Sequence, residues 1–402
     1  MDFYDVLYEL INMILHSSKG LKILEINGNE HRLNYRFRTL LIYALNKKNA
    51  LVSLRLLNLI IGDIEEQKEL VIALSNNTTL VSLHLSNNQF GKLAGKTLAP
   101  ILLKNKTLTS LNFSNNRREL TIKGVEAFAY ALSENTTLRS LTLSNDSLTR
   151  EGGIILANAL FKNKALKSLD LGRKYPFVND YVCLNKIRME GATKLASALR
   201  ENKALTSLNL SGNRRKLGDF LRESSTLTTL DLSFNQYELE GRKALLHALG
   251  VNNSLTFLNL AGNGFYGHDG RTLAQSLITN VTLIALDISK NRFGAFDDAY
   301  GGQLLADALC VNNTLRWINI SNNSLGKNGG YVFIKTLGKN NALTHLDLSY
   351  NQFNVKCRKA LTEAYKSKVG NTTTPIISLA IHQKNWKKNV LQTAPKDFFA
   401  SF

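Results

Sequence analysis

The sequence repeats one phrase, L-x-x-L-x-L-x-x-N, about once in every 28 residues. Its copies start at twelve leucines, which are Leu21, Leu51, Leu80, Leu108, Leu138, Leu166, Leu205, Leu227, Leu255, Leu283, Leu315 and Leu343. One copy cannot bury its own leucines, so neighbouring copies must stack and share a core. Self-similarity at this period therefore predicts a solenoid. It overrides the two or three domains that a length of 402 residues would otherwise suggest.

A second phrase lies between the copies of the first. Examples are GRKALLHALGVNNSL at residues 241–255 and GATKLASALRENKAL at residues 191–205. Its apolar residues follow the period of an α-helix, whereas those of the first phrase alternate as in a β-strand. Each repeat is therefore predicted to consist of a strand, a loop, a helix and a return loop.

These paired phrases resemble the ribonuclease-inhibitor class of leucine-rich repeats, and the resemblance covers residues 21–355 with twelve repeats. It implies an α/β fold, a horseshoe solenoid with a concave parallel β-sheet and convex helices. Repeat arrays need capped ends. We expect residues 1–20 to form an N-terminal helical cap and residues 356–402 to form a basic C-terminal cap and tail. A degenerate thirteenth strand is expected at Ile376, Leu379 and Ile381.

The last residue of the first phrase is asparagine in nine copies. These are Asn29, Asn88, Asn116, Asn213, Asn235, Asn263, Asn291, Asn323 and Asn351. An asparagine side chain both donates and accepts hydrogen bonds, so it can satisfy buried backbone groups in the turn after each strand. We therefore expect these residues to be structural and not to bind a ligand. Leu59, Asp146 and Lys174 stand at this position in the other copies.

Motifs typical of cofactor or catalytic sites are weak in this sequence. Residues 262–267 read G-x-G-x-x-G after a predicted strand, which matches the dinucleotide-binding fingerprint by letter. Gly262 and Asn263, however, occupy ordinary positions of the repeat. The histidines never fall four residues apart, and the three cysteines are far from one another. We expect no cofactor, no metal and no enzymatic activity.

The N-terminus and the cysteines bear on where the protein works. MDFYDVLYELINMILHSS carries Asp2, Asp5 and Glu9 where a secretory signal peptide carries positive charge. The sequence contains no apolar run long enough to cross a bilayer. Three scattered cysteines give no disulfide framework, which favours a reducing compartment. We expect a monomer that is cytoplasmic, or that is secreted without a cleaved signal peptide into a host cytoplasm.

Alternate strand positions are expected on the concave face, because neighbouring residues of a strand point to opposite sides of the sheet. In the second half of the chain these positions combine aromatic and acidic residues, and further aromatics follow the strand ends. The predicted partner-binding residues are Asp231, Phe234, Phe257, Asp287, Trp317, His345, Asp347 and Tyr350. Aromatic residues on one sheet face are typical of interface anchors. Ordinary surface scatter of apolar residues is the alternative.

The net charge of +19 is concentrated in two segments. Residues 162–222 hold 14 Lys or Arg against 5 Asp or Glu, and residues 356–402 hold 9 against 2. The first segment contains a repeat lengthened to 39 residues and one shortened to 22, and loops inserted on one side of a repeat array often mark its binding face. Seven cations there are predicted to line one basic rim, namely Arg173, Lys174, Lys186, Arg188, Arg214, Arg215 and Lys216. A neutral insertion and deletion is the alternative.

Three functions follow from these features. The first is a non-catalytic protein–protein interaction scaffold, because a cysteine-poor sequence rich in Asn, Lys and Ile with these repeats is similar to virulence effectors that intracellular bacteria deliver into host cells. Its partner would be a host protein, with an acidic surface if the rim takes part. The second is a GTPase-activating regulator, since the Ran activating protein has this repeat type. Such proteins use rim and loop residues, and Arg173 or Arg214 could play that part here. The third is binding of phosphoinositide or nucleic acid through the rim, with Tyr175, Phe177 and Tyr181 interleaved.

Overall fold

The computed structural model describes residues 21–28, 32–33, 35–46, 51–61, 64–91, 94–116, 121–144, 148–172, 185, 187–213, 221, 225–294, 300–327, 329–370 and 378–381. The chain forms two compact units, Met1–Leu205 and Thr206–Phe402, which we call the N-terminal unit and the C-terminal unit. In the sequence their boundary follows the lengthened repeat. The predicted helical cap at residues 1–20 lies outside the described residues.

The N-terminal unit alternates strands and helices along the chain. Its strands pair in parallel and in chain order; they are β1 (Ile23–Asn27), β2 (Ser53–Leu57), β3 (Ser82–His84), β4 (Ser110–Asn112), β5 (Ser140–Thr142) and β6 (Ser168–Asp170). Its helices are α1 (Tyr35–Asn46), α2 (Ile64–Asn76), α3 (Ala94–Lys104), α4 (Ile122–Glu134), α5 (Arg150–Lys162) and α6 (Arg188–Glu201). Each helix connects one strand to the next, as the two phrases predict.

The C-terminal unit has the same alternation. Its strands are β7 (Ser207–Asn209), β8 (Thr229–Asp231), β9 (Phe257–Asn259), β10 (Ala285–Asp287), β11 (Trp317–Asn319), β12 (His345–Asp347) and β13 (Ser378–Ala380), again parallel and in chain order. Its helices are α7 (Leu239–Val251), α8 (Gly267–Thr279), α9 (Tyr300–Val311), α10 (Val332–Lys339) and α11 (Val355–Gly370). Strand β13 confirms the expected thirteenth strand, because Leu379 pairs with Leu346 of β12.

The leucines of the repeated phrase form the core. In the C-terminal unit one core row runs across five neighbouring strands and is almost completely buried; it consists of Leu230, Leu258, Leu286, Ile318 and Leu346. Complete burial of one such side chain contributes about 1.5–3 kcal/mol. The predicted fold, a leucine-rich-repeat solenoid with parallel strands alternating with helices, is confirmed in each unit. No helix in the described ranges is long and apolar enough to cross a lipid bilayer.

The asparagines that end the phrase satisfy backbone groups after the strands, as predicted, and they also connect neighbouring repeats in what we call the ladder. The Asn88 side chain accepts a hydrogen bond from the Leu59 backbone N–H at 2.9 Å and donates one to the Leu56 carbonyl at 2.7 Å. In the C-terminal unit the Asn235 backbone N–H donates to Asn263 Oδ1 at 2.7 Å. An unsatisfied buried backbone group costs about 1–3 kcal/mol. These asparagines therefore stabilise the turn after each strand.

A second set of buried asparagines lies where each helix returns to the next strand. Asn163 is typical, since its Nδ2 donates to the carbonyl of Leu132 in the preceding helix and its Oδ1 accepts from the Leu166 backbone N–H. The buried members of this set are Asn77, Asn105, Asn135, Asn163, Asn202, Asn252, Asn280, Asn312 and Asn340. Most repeats are thus held by one asparagine at either end of the strand.

The lengthened repeat has its ladder asparagine at Asn185, not at position 174. Asn185 is buried, its Nδ2 donates to the Leu143 and Leu171 carbonyls, and its Oδ1 accepts from the Leu148 N–H. These are the contacts that the other ladder asparagines make. Asn185 follows Lys174 by 11 residues, and a repeat of 39 residues exceeds one of 28 by the same number. The insertion therefore ends immediately before Asn185, and Lys186 and Arg188 belong to the regular part of the repeat.

Candidate interaction surface

The sheet of the C-terminal unit has one face covered by the core leucines and one opposite face, which we call the open face. Because strand residues alternate between faces, the residues on either side of each core leucine lie on the open face. They form two rows across β8–β12. The aromatic row consists of Thr229, Phe257, Ala285, Trp317 and His345, and the Asx row consists of Asp231, Asn259, Asp287, Asn319 and Asp347.

The aromatic row is more buried than the sequence predicts. Phe257 is 7% exposed and Trp317 is 4% exposed, and both join Ala285 in a buried apolar cluster. The expectation that these positions face solvent is therefore wrong for Phe257 and Trp317. His345 at the end of the row is partly exposed, and burial lowers the pKa of its imidazole. Its Nδ1 lies 2.8 Å from the Thr344 hydroxyl.

Each aspartate of the Asx row makes a local hydrogen bond at the end of its strand. The Ser233 backbone N–H donates to Asp231 Oδ1 at 2.7 Å, and Asp287 and Asp347 accept in the same way from residues 289 and 349. Asn259 and Asn319 accept equivalent bonds. In these five repeats the side-chain oxygen at this position therefore accepts a hydrogen bond from the backbone two residues on. This structural role was not predicted from the sequence.

The second carboxylate oxygen of two aspartates connects neighbouring repeats. Asn259 Nδ2 donates to Asp231 Oδ2 at 2.9 Å, and Asn319 Nδ2 donates to Asp287 Oδ2 at 3.1 Å. Asp347 pairs across the sheet with Ala380, which has no amide to donate. Asp231 and Asp287 are therefore each tied to the asparagine of the next repeat.

Burial raises the pKa of all three carboxyl groups of the Asx row. The pKa of Asp231 rises to about 6, because desolvation outweighs the hydrogen bonds from Ser233 and Asn259. Desolvation also raises the pKa of Asp287 and of Asp347. A carboxylate removed from water interacts more strongly with a nearby cation than one in bulk solvent. The open face thus carries three acidic groups that are partly removed from water.

A third row follows the strand ends, at the position before each ladder asparagine. It consists of Phe234, Gly262, Lys290, Asn322 and Tyr350, and we call it the edge row. All five have positive φ, between 56° and 66°. The corresponding residues of the N-terminal unit include Asn87 and Asn115, which also have positive φ. Asparagine and glycine tolerate this left-handed conformation, whereas a phenylalanine or tyrosine there is an outlier.

The ring of Phe234 lies along the edge row. A Cβ added to Gly262 would stand 2.5 Å from two of its ring carbons, so the ring rests on the Gly262 backbone. On the next repeat, Lys290 Nζ lies 5.3 Å from the centroid of the same ring, within the range of a cation–π contact. Gly262 and Lys290 were not predicted as site residues. The signal that could have found them is their common offset from the ladder asparagine.

The other predicted surface features fall largely outside the described residues. Of the basic rim, Arg173, Lys174, Lys186, Arg214, Arg215 and Lys216 lie outside them, and only the backbone of Arg188 is described. The rim therefore stays a prediction from the sequence. In the described part of the chain no group of three or more His, Cys, Asp or Glu side chains is placed to hold a metal ion.

Comparison with known families identifies the repeat. A family model described as Leucine Rich repeat matches residues 76–99, 104–129, 223–246 and 339–361, which together are less than half of the chain. This chain contains leucine-rich repeats. The matched segments lie in both units, and each includes a helix-to-strand or strand-to-helix connection that the ladder asparagines stabilise. No curated protein matches the sequence as a whole.

Several solved structures are similar to this chain at low sequence identity. The leucine-rich repeat-containing protein LegL7 from Legionella pneumophila is 17% identical, with a TM-score of 0.45, over 76% of this chain and 95% of that one. A chain of the yeast Rad7 and Elc1 complex is 16% identical, with a TM-score of 0.44, over 94% of this chain and 93% of that one. The tropomodulin C-terminal domain from Caenorhabditis elegans is 17% identical, with a TM-score of 0.31, over 37% of this chain and 89% of that one.

Proposed function

We propose that this protein is a non-catalytic scaffold that recognises another protein through the open face and edge row of its C-terminal unit. In support, the eight residues predicted from the sequence all belong to these three rows of β8–β12, although Phe257 and Trp317 are buried there. A repeat array presents such a surface on rigid elements, which reduces the entropy lost when a partner binds. The leucine-rich-repeat fold favours a protein as the partner.

The observation that carries this proposal is the conformation of Phe234 and Tyr350. Both have φ values near +60°, at a position where most other repeats place asparagine or glycine. For a residue with a bulky side chain this conformation costs about 1–2 kcal/mol. Strain that could be relieved by one substitution is typical of functional sites. Tyr350 is 38% exposed, and both rings are of the kind that anchors protein interfaces.

The finer part of the proposal concerns the biological setting. We infer that the partner is a host protein and that the chain acts as an effector of an intracellular bacterium. Support comes from the sequence, which combines these repeats with few cysteines and a net charge of +19. The basic rim would add long-range attraction to an acidic patch on the same partner.

The test uses two substitutions that return the edge row to its commoner residue. Phe234→Asn together with Tyr350→Asn removes both rings but suits the left-handed backbone, so the free energy of unfolding is expected to stay within about 1 kcal/mol. Wild type and variant are compared in affinity capture from host-cell lysate. A captured protein is then purified, and its affinity is measured by calorimetry.

We expect the double variant to bind the purified partner at least about 30-fold more weakly, which corresponds to about 2 kcal/mol. The matched control replaces two exposed helical tyrosines, Tyr130→Asn and Tyr300→Asn, and should bind as wild type does. Equal affinity of the double variant and the control would reject the open face and edge row as the binding surface.

A further inference from the structure

We propose that the C-terminal unit attaches to an anionic lipid membrane through the edge at which its helices return to its strands. We call this surface the return edge, and it is formed by the residues that flank the buried asparagines Asn252, Asn280 and Asn312. Attachment is peripheral, with aliphatic side chains in the headgroup region of one leaflet and cations beside its phosphates. It does not depend on the protein recognition proposed above, which uses the open face and the edge row.

Consecutive returns lie side by side because hydrogen bonds connect them. Asn280 Nδ2 donates to the carbonyls of Leu249 and Asn252, at 2.8 and 3.0 Å. In the next repeat Asn312 Nδ2 donates to the Leu277 carbonyl at 2.7 Å. The residues on either side of these asparagines are therefore neighbours on one continuous edge of the C-terminal unit.

Five exposed aliphatic side chains lie together on the return edge. Three belong to the middle repeat and one to each repeat beside it, and their exposed fractions lie between 41% and 71%. They are Val251, Ile278, Val281, Ile284 and Val311. Single exposed apolar residues are ordinary on a protein surface, whereas a group of neighbours on one surface is typical of an interaction site.

The fold does not require aliphatic residues on this edge. In the N-terminal unit the positions immediately before and after the return asparagine are charged in seven of eight cases across four consecutive repeats. These exposed residues are Lys104, Lys106, Glu134, Lys162, Lys164, Glu201 and Lys203. At the six corresponding positions beside Asn252, Asn280 and Asn312 no residue is charged. The C-terminal unit thus has an apolar edge where the N-terminal unit has a solvated one.

Two exposed cations border the aliphatic group on the side towards β12. Arg316 occupies the position of Ile284 in the next repeat, and its backbone N–H donates to the Ile284 carbonyl at 2.8 Å. Lys339 occupies the position of Val311 in the next repeat. Asp307 lies one helical turn before Val311, and its Oδ1 is 2.9 Å from the ammonium of a lysine in the next helix. The return edge is therefore apolar with a positive border.

This chemistry fits a lipid surface better than a protein surface. Protein interfaces are anchored mainly by Trp, Tyr and Arg, and valine is under-represented among such anchors. The five side chains of the return edge include no aromatic ring. Binding to a membrane surface, in contrast, depends on buried apolar area and on cations that attract anionic lipids. Each cation near an anionic leaflet strengthens binding about fivefold.

The test is flotation of the full-length protein with vesicles of phosphatidylcholine and phosphatidylserine, and with vesicles of phosphatidylcholine alone. The apolar-edge variant combines Val251→Thr, Val281→Asn, Ile284→Thr and Val311→Thr. Each new residue already stands at the same position of a neighbouring repeat, as Asn253 does for Val281, so the fold tolerates it. The matched control removes four exposed aliphatic residues from other surfaces, with Val52→Thr, Ile72→Thr, Ile122→Thr and Val355→Thr.

We expect wild type and the control to bind the anionic vesicles, and the apolar-edge variant to bind them at least about tenfold more weakly at every salt concentration. Circular dichroism and thermal unfolding establish that each variant is folded. Equal vesicle affinity of wild type and the folded apolar-edge variant would overturn the proposal. A wild-type protein that floats with neither kind of vesicle would overturn it as well.

A second variant tests the positive border with the aliphatic group intact. Arg316→Gln with Lys339→Gln should weaken binding to the anionic vesicles by about fivefold for each cation at low salt, and much less at high salt. Unchanged binding of this variant at low salt contradicts the attraction to anionic lipid.

Light scattering distinguishes a second copy of the chain as the occupant of the return edge. A wild-type dimer that the apolar-edge substitutions dissociate, without vesicle binding, would overturn the proposal. The Phe234→Asn, Tyr350→Asn variant should bind vesicles as wild type does, because its substitutions lie on the surface proposed for protein recognition. Vesicle binding therefore stands or falls separately from the proposed function.

Discussion

The ring of Phe234 rests on the backbone of Gly262, and a Cβ on that glycine would stand 2.5 Å from ring carbons Cδ1 and Cε1. The two residues occupy the same position in consecutive repeats. Lys290, one repeat further on, places its ammonium 5.3 Å from the centroid of this ring. One aromatic side chain thus spans three repeats along the edge row. The absence of a side chain at Gly262 is what permits this arrangement.

Gly262→Ala is expected to destabilise the C-terminal unit by more than backbone strain alone would. The matched control is Gly264→Ala, since Gly264 also has a positive φ of 71° but no neighbour within 4 Å of an added Cβ. Strain should cost about 1–2 kcal/mol in both variants, and displacement of Phe234 should add about 1 kcal/mol at Gly262 only. Urea unfolding measures both. Equal losses of unfolding free energy in the two variants would show that the Phe234 ring moves aside without an energetic cost.

Asn185→Ala should be far more destabilising than Lys174→Ala, although only Lys174 aligns with the phrase. Removing the Asn185 side chain leaves the Leu148 N–H and the carbonyls of Leu143 and Leu171 without this partner. We expect a loss of about 2–4 kcal/mol for Asn185→Ala and less than about 0.5 kcal/mol for Lys174→Ala. Thermal and urea unfolding test this, with Asn163→Ala as a reference for a buried asparagine. Comparable effects at the two positions would contradict the assignment of Asn185 to the ladder.

The raised pKa of Asp231 predicts a pH-dependent difference between wild type and Asp231→Asn. The pKa is about 6 in the folded chain against an ordinary value of 3.8, so the folded state holds this proton more tightly than the unfolded state does. The associated stability is present below about pH 4 and is lost as the pH rises through about 6. Between pH 4 and pH 7 the free energy of unfolding should therefore shift by about 2 kcal/mol in favour of Asp231→Asn. Urea unfolding at several pH values measures this.

Asp307→Asn is the control for this titration, because the pKa of Asp307 is shifted in the direction opposite to that of Asp231. A hydrogen bond from Lys335, with one from Gln303, lowers the pKa of Asp307. The stability that Asp307 contributes is therefore present above its ordinary pKa and lost as the pH falls. The free energy of unfolding of Asp307→Asn should therefore fall relative to that of wild type as the pH rises. Parallel pH profiles for the two variants would show that Asp231 is not desolvated.

Reversal of Arg214, Arg215 and Lys216 to glutamate is expected to slow association with an acidic partner. Exposed cations raise the encounter rate through a field that salt screens over about 10 Å at 0.1 M. At low salt the on-rate should fall by about tenfold, and its salt dependence should flatten. The control reverses three exposed lysines of the N-terminal unit, Lys104, Lys106 and Lys123, which matches the change in net charge. An on-rate equal to that of wild type at low salt would make the rim an ordinary solvated surface.

Much of the repeat could be read from the sequence because its causes are local. The period of the leucines predicts strands and helices, since the leucines must all point into the core that neighbouring repeats share. The same periodicity places Asn88 and Asn235 in the turn after each strand, where the backbone needs a partner. Strand alternation also puts Trp317 and Asp287 on the same face, and the structure has them there.

The sequence by itself therefore determined the repeat, the fold class and the register of the strands, because all of these depend on spacing along the chain. Only the tertiary structure decided how buried each row is and which residue fills a role after an insertion. Trp317 is buried on a face that alternation makes open, and Asn185 replaces a residue 11 positions earlier, because both depend on contacts between segments distant in sequence. The raised pKa of Asp231 has the same origin, since desolvation is set by what surrounds a group in space.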